Sequence, residues 1–211
     1  SFTAYVGNWL VFFSGGFLSI YTVTSEFNYQ TFRQNIVTGL SRRELWMAKT
    51  IWLCTIAFLC ACYFMIVPLI LGWMNTPGVS ITLALERIQL FPSYFLMSLG
   101  YLGLGTFLAL WIRRTSVTVF SYFAYVLLLE PFWRWTVHRK LFSNVSMHFY
   151  PANVFEDLAP MPLDDLPMTR DFLEQNEFSF FLTPLEASIG ASIYLLIIFY
   201  GIWRMINKQD F

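Results

Sequence analysis

Residues 25–49, SEFNYQTFRQNIVTGLSRRELWMAK, decide how this chain is read. The stretch is polar and basic, about as long as a helix-turn-helix. It lies between two apolar runs that are each long enough to cross a bilayer. A membrane hairpin needs only a few turn residues, so an Arg-bearing element kept at the surface implies that something docks there. Phe27, Phe32, Ile36, Val37 and Leu40 fall near helical spacing and form an apolar stripe. Gln30, Arg33 and Gln34 occupy the other side. Gly39 reads as a stop and Ser41 as a new N-cap, with Glu44 three residues later completing a capping box. Arg42 and Arg43 stand where the next helix enters the membrane. The alternative is an interfacial helix that only anchors the hairpin.

Composition fixes the surroundings of this stretch. Of 211 residues, 57% are hydrophobic and only 12% are charged, about half the charged share of a soluble domain. Five runs, 5–23, 46–73, 91–112, 117–135 and 184–206, approach or exceed the roughly 20 residues that span a hydrocarbon core of about 30 Å. They are continuously apolar, whereas a transmembrane β-barrel would show short alternating segments. The fold class is therefore an all-α polytopic membrane protein, with one transmembrane domain over residues 1–211. The second run is longer than a bilayer needs, and Pro68 near its far end predicts a kink. Cys54, Cys60 and Cys62 share that run and read as small packing residues; they have no disulfide or zinc spacing.

Orientation follows the basic residues. Arg33, Arg42, Arg43, Lys49, Arg113, Arg114, Arg204 and Lys208 fall on one side. Arg87, Arg134, Arg139, Lys140 and Arg170 fall on the other, together accounting for all 13. Among the acids only Glu26, Glu44 and Asp210 join the first set. The segment 25–43, the Arg113-Arg114 turn and the C-terminus are then cytoplasmic, and the chain begins outside. An external start with five spans predicts one more helix upstream; a natural N-out chain is the alternative.

Outside, residues 136–183 form the longest connection. The part up to Phe155 mixes aromatics with bases and is suited to lie in or re-enter the outer leaflet, provided its backbone is covered. The acidic, Pro-bearing part from Glu156 reads as a solvated cap. Glu130-Pro131, near the end of the fourth run, has two readings. One is a polar gate or pathway contact paired with Arg134 a turn later. The other is a span that ends at Leu129, with Glu130 among headgroups and Pro131 breaking the helix. Gly100, Gly103 and Gly105 predict close helix packing, either within the chain or, with Gly15-Gly16, against a second copy. His138 and His148 read as interfacial side chains without metal partners. Asn144-Val145-Ser146 fits a glycosylation sequon that matters only in a eukaryotic secretory pathway.

The pattern Glu26-Phe27, Thr31, Arg33, Gly39, Ser41-Arg42 and Lys49, set between two spans, resembles the permeases of ABC-2-type transporters. The resemblance covers nearly the whole chain, with the family's first helix absent. It implies a type V exporter-like transmembrane domain with a cytoplasmic coupling helix and re-entrant extracellular helices, the latter at 136–183. The paired basic turn Arg113-Arg114 also resembles the family's. Glu26, Phe27, Thr31, Phe32, Arg33, Gly39, Ser41 and Arg42 are then the ATPase-coupling residues, and Glu130 and Arg134 belong to a possible gate or pathway. The family's permeases hold no invariant catalytic residue, so none is carried over.

Three functions are weighed. In the first, the chain is the permease of an ATP-driven exporter in a bacterial inner membrane. It pairs with a second permease and with separate ATPases that hold the ATP and Mg, because this sequence has no GxxxxGK[ST] loop. In the second, it is a non-transporting scaffold or sensor linking such an ATPase to an extracytoplasmic protein. In the third, it is a membrane enzyme, for which no span supplies clustered His, Asp, Glu or Ser/His groups. No cofactor is expected on this chain, and nothing in it points to nucleic acid.

Overall fold

Apolar length dictates the architecture. In the computed structural model five helices are long and apolar enough to cross a membrane: Tyr5–Asn28, Arg42–Met74, Leu90–Ile112, Thr115–His138 and Pro184–Lys208, spans one to five. The structure describes residues 2–75, 90–141, 146–159 and 181–208. The connection 76–89, most of the acidic stretch, Asn144, Arg87, Arg170 and Asp210 lie outside the described residues. Among the described residues every regular element is helical, and the chain is an integral membrane protein.

The spans run past their expected ends wherever local polar chemistry supports a further turn. Span one carries on to Asn28, its Thr22, Thr24 and Ser25 hydroxyls donating to carbonyls three or four residues back. Span two belongs to a helix of 34 residues, Arg42–Asn75, which continues through Pro68. At about 1.5 Å per residue it measures roughly 51 Å, well beyond a core of about 30 Å. Span four does not stop at Leu129. Pro131 lacks an N–H and crowds the preceding turn, but π-helical turns at Tyr125–Leu129 and Trp133–His138 flank it. A wider turn on each side carries the helix past the proline.

Span three is the centre of the bundle and packs against spans one, two, four and five. Its glycines decide how closely. A Cβ on Gly105 would lie 3.0 Å from the Gly16 carbonyl oxygen and 2.3 Å from Ser19 Oγ, and one on Gly100 would strike the Phe155 ring at 2.5 Å. The glycine face is therefore filled by this chain's own residues rather than by a second copy. A third π-helical turn, Val11–Gly15, lies in span one. There the buried Tyr122 hydroxyl donates to the Phe12 carbonyl at 3.2 Å. Cys54, Cys60 and Cys62 are free thiols, partly buried in span two.

Between spans four and five the chain turns back into the bundle. A 3-10 turn, Ser146–Phe149, leads into the short helix Pro151–Glu156, whose Val154 and Phe155 are fully buried. Phe155 meets Gly100, ten residues into span three, which is about 15 Å along the axis. Val154 meets Gly190 of span five. The acidic stretch therefore does not begin in solvent: Asp157, Leu158 and Ala159 are buried. His148 is buried too, rather than interfacial.

Candidate functional site

Two polar constructions stand at opposite ends of the bundle. At the basic end, Gln30 takes a left-handed conformation (φ 56°) and turns the chain from span one into the short helix Thr31–Val37. Gly39 (φ 104°) closes that helix, and a Cβ there would meet nothing, so its backbone angle alone accounts for glycine. Ser41 then caps span two. Its N–H and hydroxyl both donate to Glu44 Oε2, at 2.8 and 2.7 Å, and the Glu44 N–H returns to Ser41 Oγ at 3.3 Å.

The short helix is tied down by rings and cations. Phe27 and Phe32 stack at 4.7 Å, and Phe32 is only 1% exposed. The Arg113 guanidinium lies 5.4 Å from the Phe27 centroid, and Lys49 Nζ lies 5.5 Å from that of Phe32. Both separations fit cation–π attraction. Arg113 reaches its ring from a left-handed backbone (φ 60°) in the turn between spans three and four. Lys49 also pairs with Glu26, and Thr115 donates to Thr24 at 2.9 Å. Arg42 donates to the Asn207 carbonyl in the last turn of span five. The element around the short helix is thus fastened to residues of all five spans or their connecting turns.

Its free surface differs from the expected stripe. Phe27 and Phe32 turn inward, whereas Val37 and Tyr29 are 78% and 75% exposed. Arg33, Gln34 and Arg43 are exposed beside them, as are Gly39 and Ser41, while Thr31, Glu26 and Arg42 are half-buried.

At the far end a buried network holds the returning helix. Glu130 is 4% exposed, and its two oxygens accept the Ala152 and Asn153 N–H groups at 3.0 and 2.8 Å. Arg134 donates to Asn153 Oδ1, so Asn153 bridges the two charged residues that the sequence suggested as a pair. Asn153 Nδ2 donates to the His148 carbonyl at 2.8 Å and to Asp157 Oδ2 at 2.9 Å, and the same Asp157 oxygen accepts the Leu182 N–H at 3.0 Å. Asn8 donates to the Glu156 and Ala159 carbonyls, and Tyr194 to that of Phe149. His138 contacts the Tyr150 hydroxyl at 3.0 Å and Ser146 Oγ at 2.8 Å. These side chains satisfy backbone groups that the bundle buries away from water.

Burial sets the titration of this cap. It pushes the Asp157 carboxyl up to about 7, against the opposing pull of the Leu182 N–H. It raises Glu156 as well, with Arg134 opposing, and it lowers His148, with Arg134 adding to the effect. No group of three or more His, Cys, Asp or Glu among the described residues could hold a metal ion.

Sequence reasoning found Glu130, Arg134, Phe27 and Lys49 but missed their partners. Asn8 and Glu156 are 148 residues apart, and Arg113 and Phe27 are joined only by the fold. One signal was available: Asn8 is a polar residue inside an apolar run.

Fold and ends together define a helical integral membrane protein with a clamped surface helix at one face and a returning helix at the other. Comparison with protein families, with curated proteins and with solved structures gives no match.

Proposed function

We propose that this chain is the permease subunit of an ATP-driven, ABC-2-type exporter, and that the short helix Thr31–Val37 receives the motion of a separate ATPase at the cytoplasmic face. The observation that carries this reading is the clamp on that helix. A lever transmits displacement only if it is stiff and attached to what must move. Phe32 is buried in a stack shared by spans one, two and the turn after span three, while Tyr29, Arg33, Gln34 and Val37 remain outside to meet a partner. An interfacial anchor would not need Phe27 and Phe32 held within the protein by Arg113 and Lys49. The returning helix Pro151–Glu156, at the position of the family's re-entrant segment, lends further support.

On this reading a push on the short helix reaches span two through Lys49 and the third-to-fourth turn through Arg113. The spans then exchange two rigid packings. Glu130 and Arg134 belong to the outer closure, because they hold the returning helix between spans three and five. ATP chemistry remains with the partner.

The test purifies the tagged full chain from its native membrane together with any phosphate-loop ATPase bound to it. Arg33→Glu and Val37→Asp alter only exposed positions. Both are expected to reduce co-purification of the ATPase and to uncouple its hydrolysis from transport while leaving membrane insertion intact. Normal association and coupling in both variants would reject the docking role. Phe32→Asp is a poorer probe, since it places a charge in the buried stack and disturbs the fold itself.

A further inference from the structure

A cavity of about 140 Å³ opens at the far end between spans one, three and four and the returning helix. At about 30 Å³ per water, that is room for four or five waters or one compact organic group. Its wall includes Asn8, Trp9, Phe12, Tyr101, Pro131 and Glu156. The ring centroids of Trp9 and Phe12 are 5.9 Å apart at 83°, and those of Phe12 and Tyr101 are 5.4 Å apart at 57°. The three aromatic planes therefore turn relative to one another instead of lying parallel.

Glu156 is the unspent group of this region. Its backbone carbonyl accepts Asn8, but its carboxylate makes no hydrogen bond or ion pair with any described residue. Glu130 spends both oxygens on backbone N–H groups, and Asp157 is engaged by Leu182 and Asn153. Among the described residues Arg134 is the buried guanidinium whose field reaches Glu156, and it is directed to Asn153. Among the described residues, Glu130, Glu156 and Asp157 thus lie in the field of one shared cation, Arg134, and Glu156 is the one of the three that lines the aromatic-walled space.

We propose that this cavity binds an organic ammonium group, with Glu156 as counter-charge and Trp9, Phe12 and Tyr101 presenting their rings. Aromatic faces attract a desolvated cation by their quadrupole, and a methylated ammonium sheds water far more readily than a metal ion does. A calcium ion seeks six to eight oxygens, whereas the oxygen-bearing side chains among the residues of this wall are those of Asn8, Tyr101 and Glu156. An anion would meet the Glu156 carboxyl at a wall where Arg134 is already engaged by Asn153. The ammonium belongs either to a lipid headgroup or to a soluble molecule, and the site does not depend on how the basic end is read.

The experiment is equilibrium binding of radiolabelled tetramethylammonium to the full chain in phosphatidylglycerol nanodiscs. Binding is expected to saturate and to resist displacement by potassium. Glu156→Gln keeps the backbone carbonyl that Asn8 uses and should weaken binding roughly tenfold or more. Trp9→Leu should weaken it roughly three- to tenfold, with Trp9→Phe between it and the parent. Leu127→Trp, which fills the cavity without altering charge, should abolish binding. Equal affinity in the parent, Glu156→Gln and Leu127→Trp proteins overturns the proposal, as does potassium competing as well as choline. In discs doped with phosphatidylcholine, loss of tetramethylammonium binding identifies a lipid headgroup as the source. Unchanged binding there identifies a soluble ammonium, and both results uphold the site.

Discussion

Replacing Glu130 by alanine should release the returning helix from its clamp. The carboxylate accepts two buried N–H groups, from Ala152 and Asn153, at 3.0 and 2.8 Å. A hydrogen bond to a charged group contributes about 1.5–3 kcal/mol, and a donor left unsatisfied in a buried place costs about 1–3 kcal/mol. Removing the acceptor also relieves the cost of burying a charge, so the net loss is about 3 kcal/mol rather than the sum of two bonds. Since about 1.4 kcal/mol is a factor of ten, local opening of the segment becomes roughly a hundredfold more frequent. Hydrogen–deuterium exchange of the full chain in nanodiscs reads this directly at the amides of residues 152–155. Glu130→Gln retains one acceptor oxygen and should fall between parent and alanine variant. Span three supplies the internal reference: its amides between Met97 and Thr106 belong to the buried core and should exchange as before. If Glu130→Ala left protection at 152–155 unchanged, the clamp assignment would be wrong. Equal loss across span three would instead mean that the whole bundle, not the returning helix, depends on this carboxylate.

Other outcomes follow from the same geometry. The Asp157 carboxyl, pushed up to about 7 by burial from an ordinary 3.8, holds its proton more tightly in the folded chain than in the unfolded one. Its contribution is complete below about pH 4 and is lost as pH rises through 7. Asp157→Asn should flatten the pH dependence of thermal stability over that window. Gly105→Ala forces a methyl against the Gly16 carbonyl oxygen and should cost about 1–3 kcal/mol of stability, measured as a lower melting temperature in detergent. Gly72→Ala, where the added carbon meets nothing, should be neutral or slightly stabilising. Phe32→Ala removes a ring that is 1% exposed, at a cost of about 3–5 kcal/mol, and should speed tryptic cleavage at Arg33 while sites in the spans stay protected.

How far these features were legible depends on whether the physics is local. The spans follow from apolar length alone, and the Ser41–Glu44 box from a three-residue spacing that the structure realises atom for atom. The inward turn of Phe32 and outward turn of Val37 were not legible. In a segment between water, headgroups and protein, an apolar stripe does not say which of these neighbours it faces. Glu130-Pro131 left two readings open for a related reason. A proline after a carboxylate reads as a stop, whereas here the helix passes it between two π-helical turns. His148 read as interfacial and Asp157 as solvated because their partners, Asn153 and Leu182, depend on the chain folding back between the spans.

The reciprocal cap at Ser41 and Glu44 has a counterpart at the opposite end. Thr183 and Glu186 repeat the same exchange at the start of span five, its N–H and hydroxyl donating to Glu186 Oε2 at 3.0 and 2.7 Å. Two long helices thus begin at opposite faces, each with its first turn pinned to one register. Each box joins residues of a single helix start and travels with it, so it guards the first turn against fraying while leaving the depth of the helix to its packing.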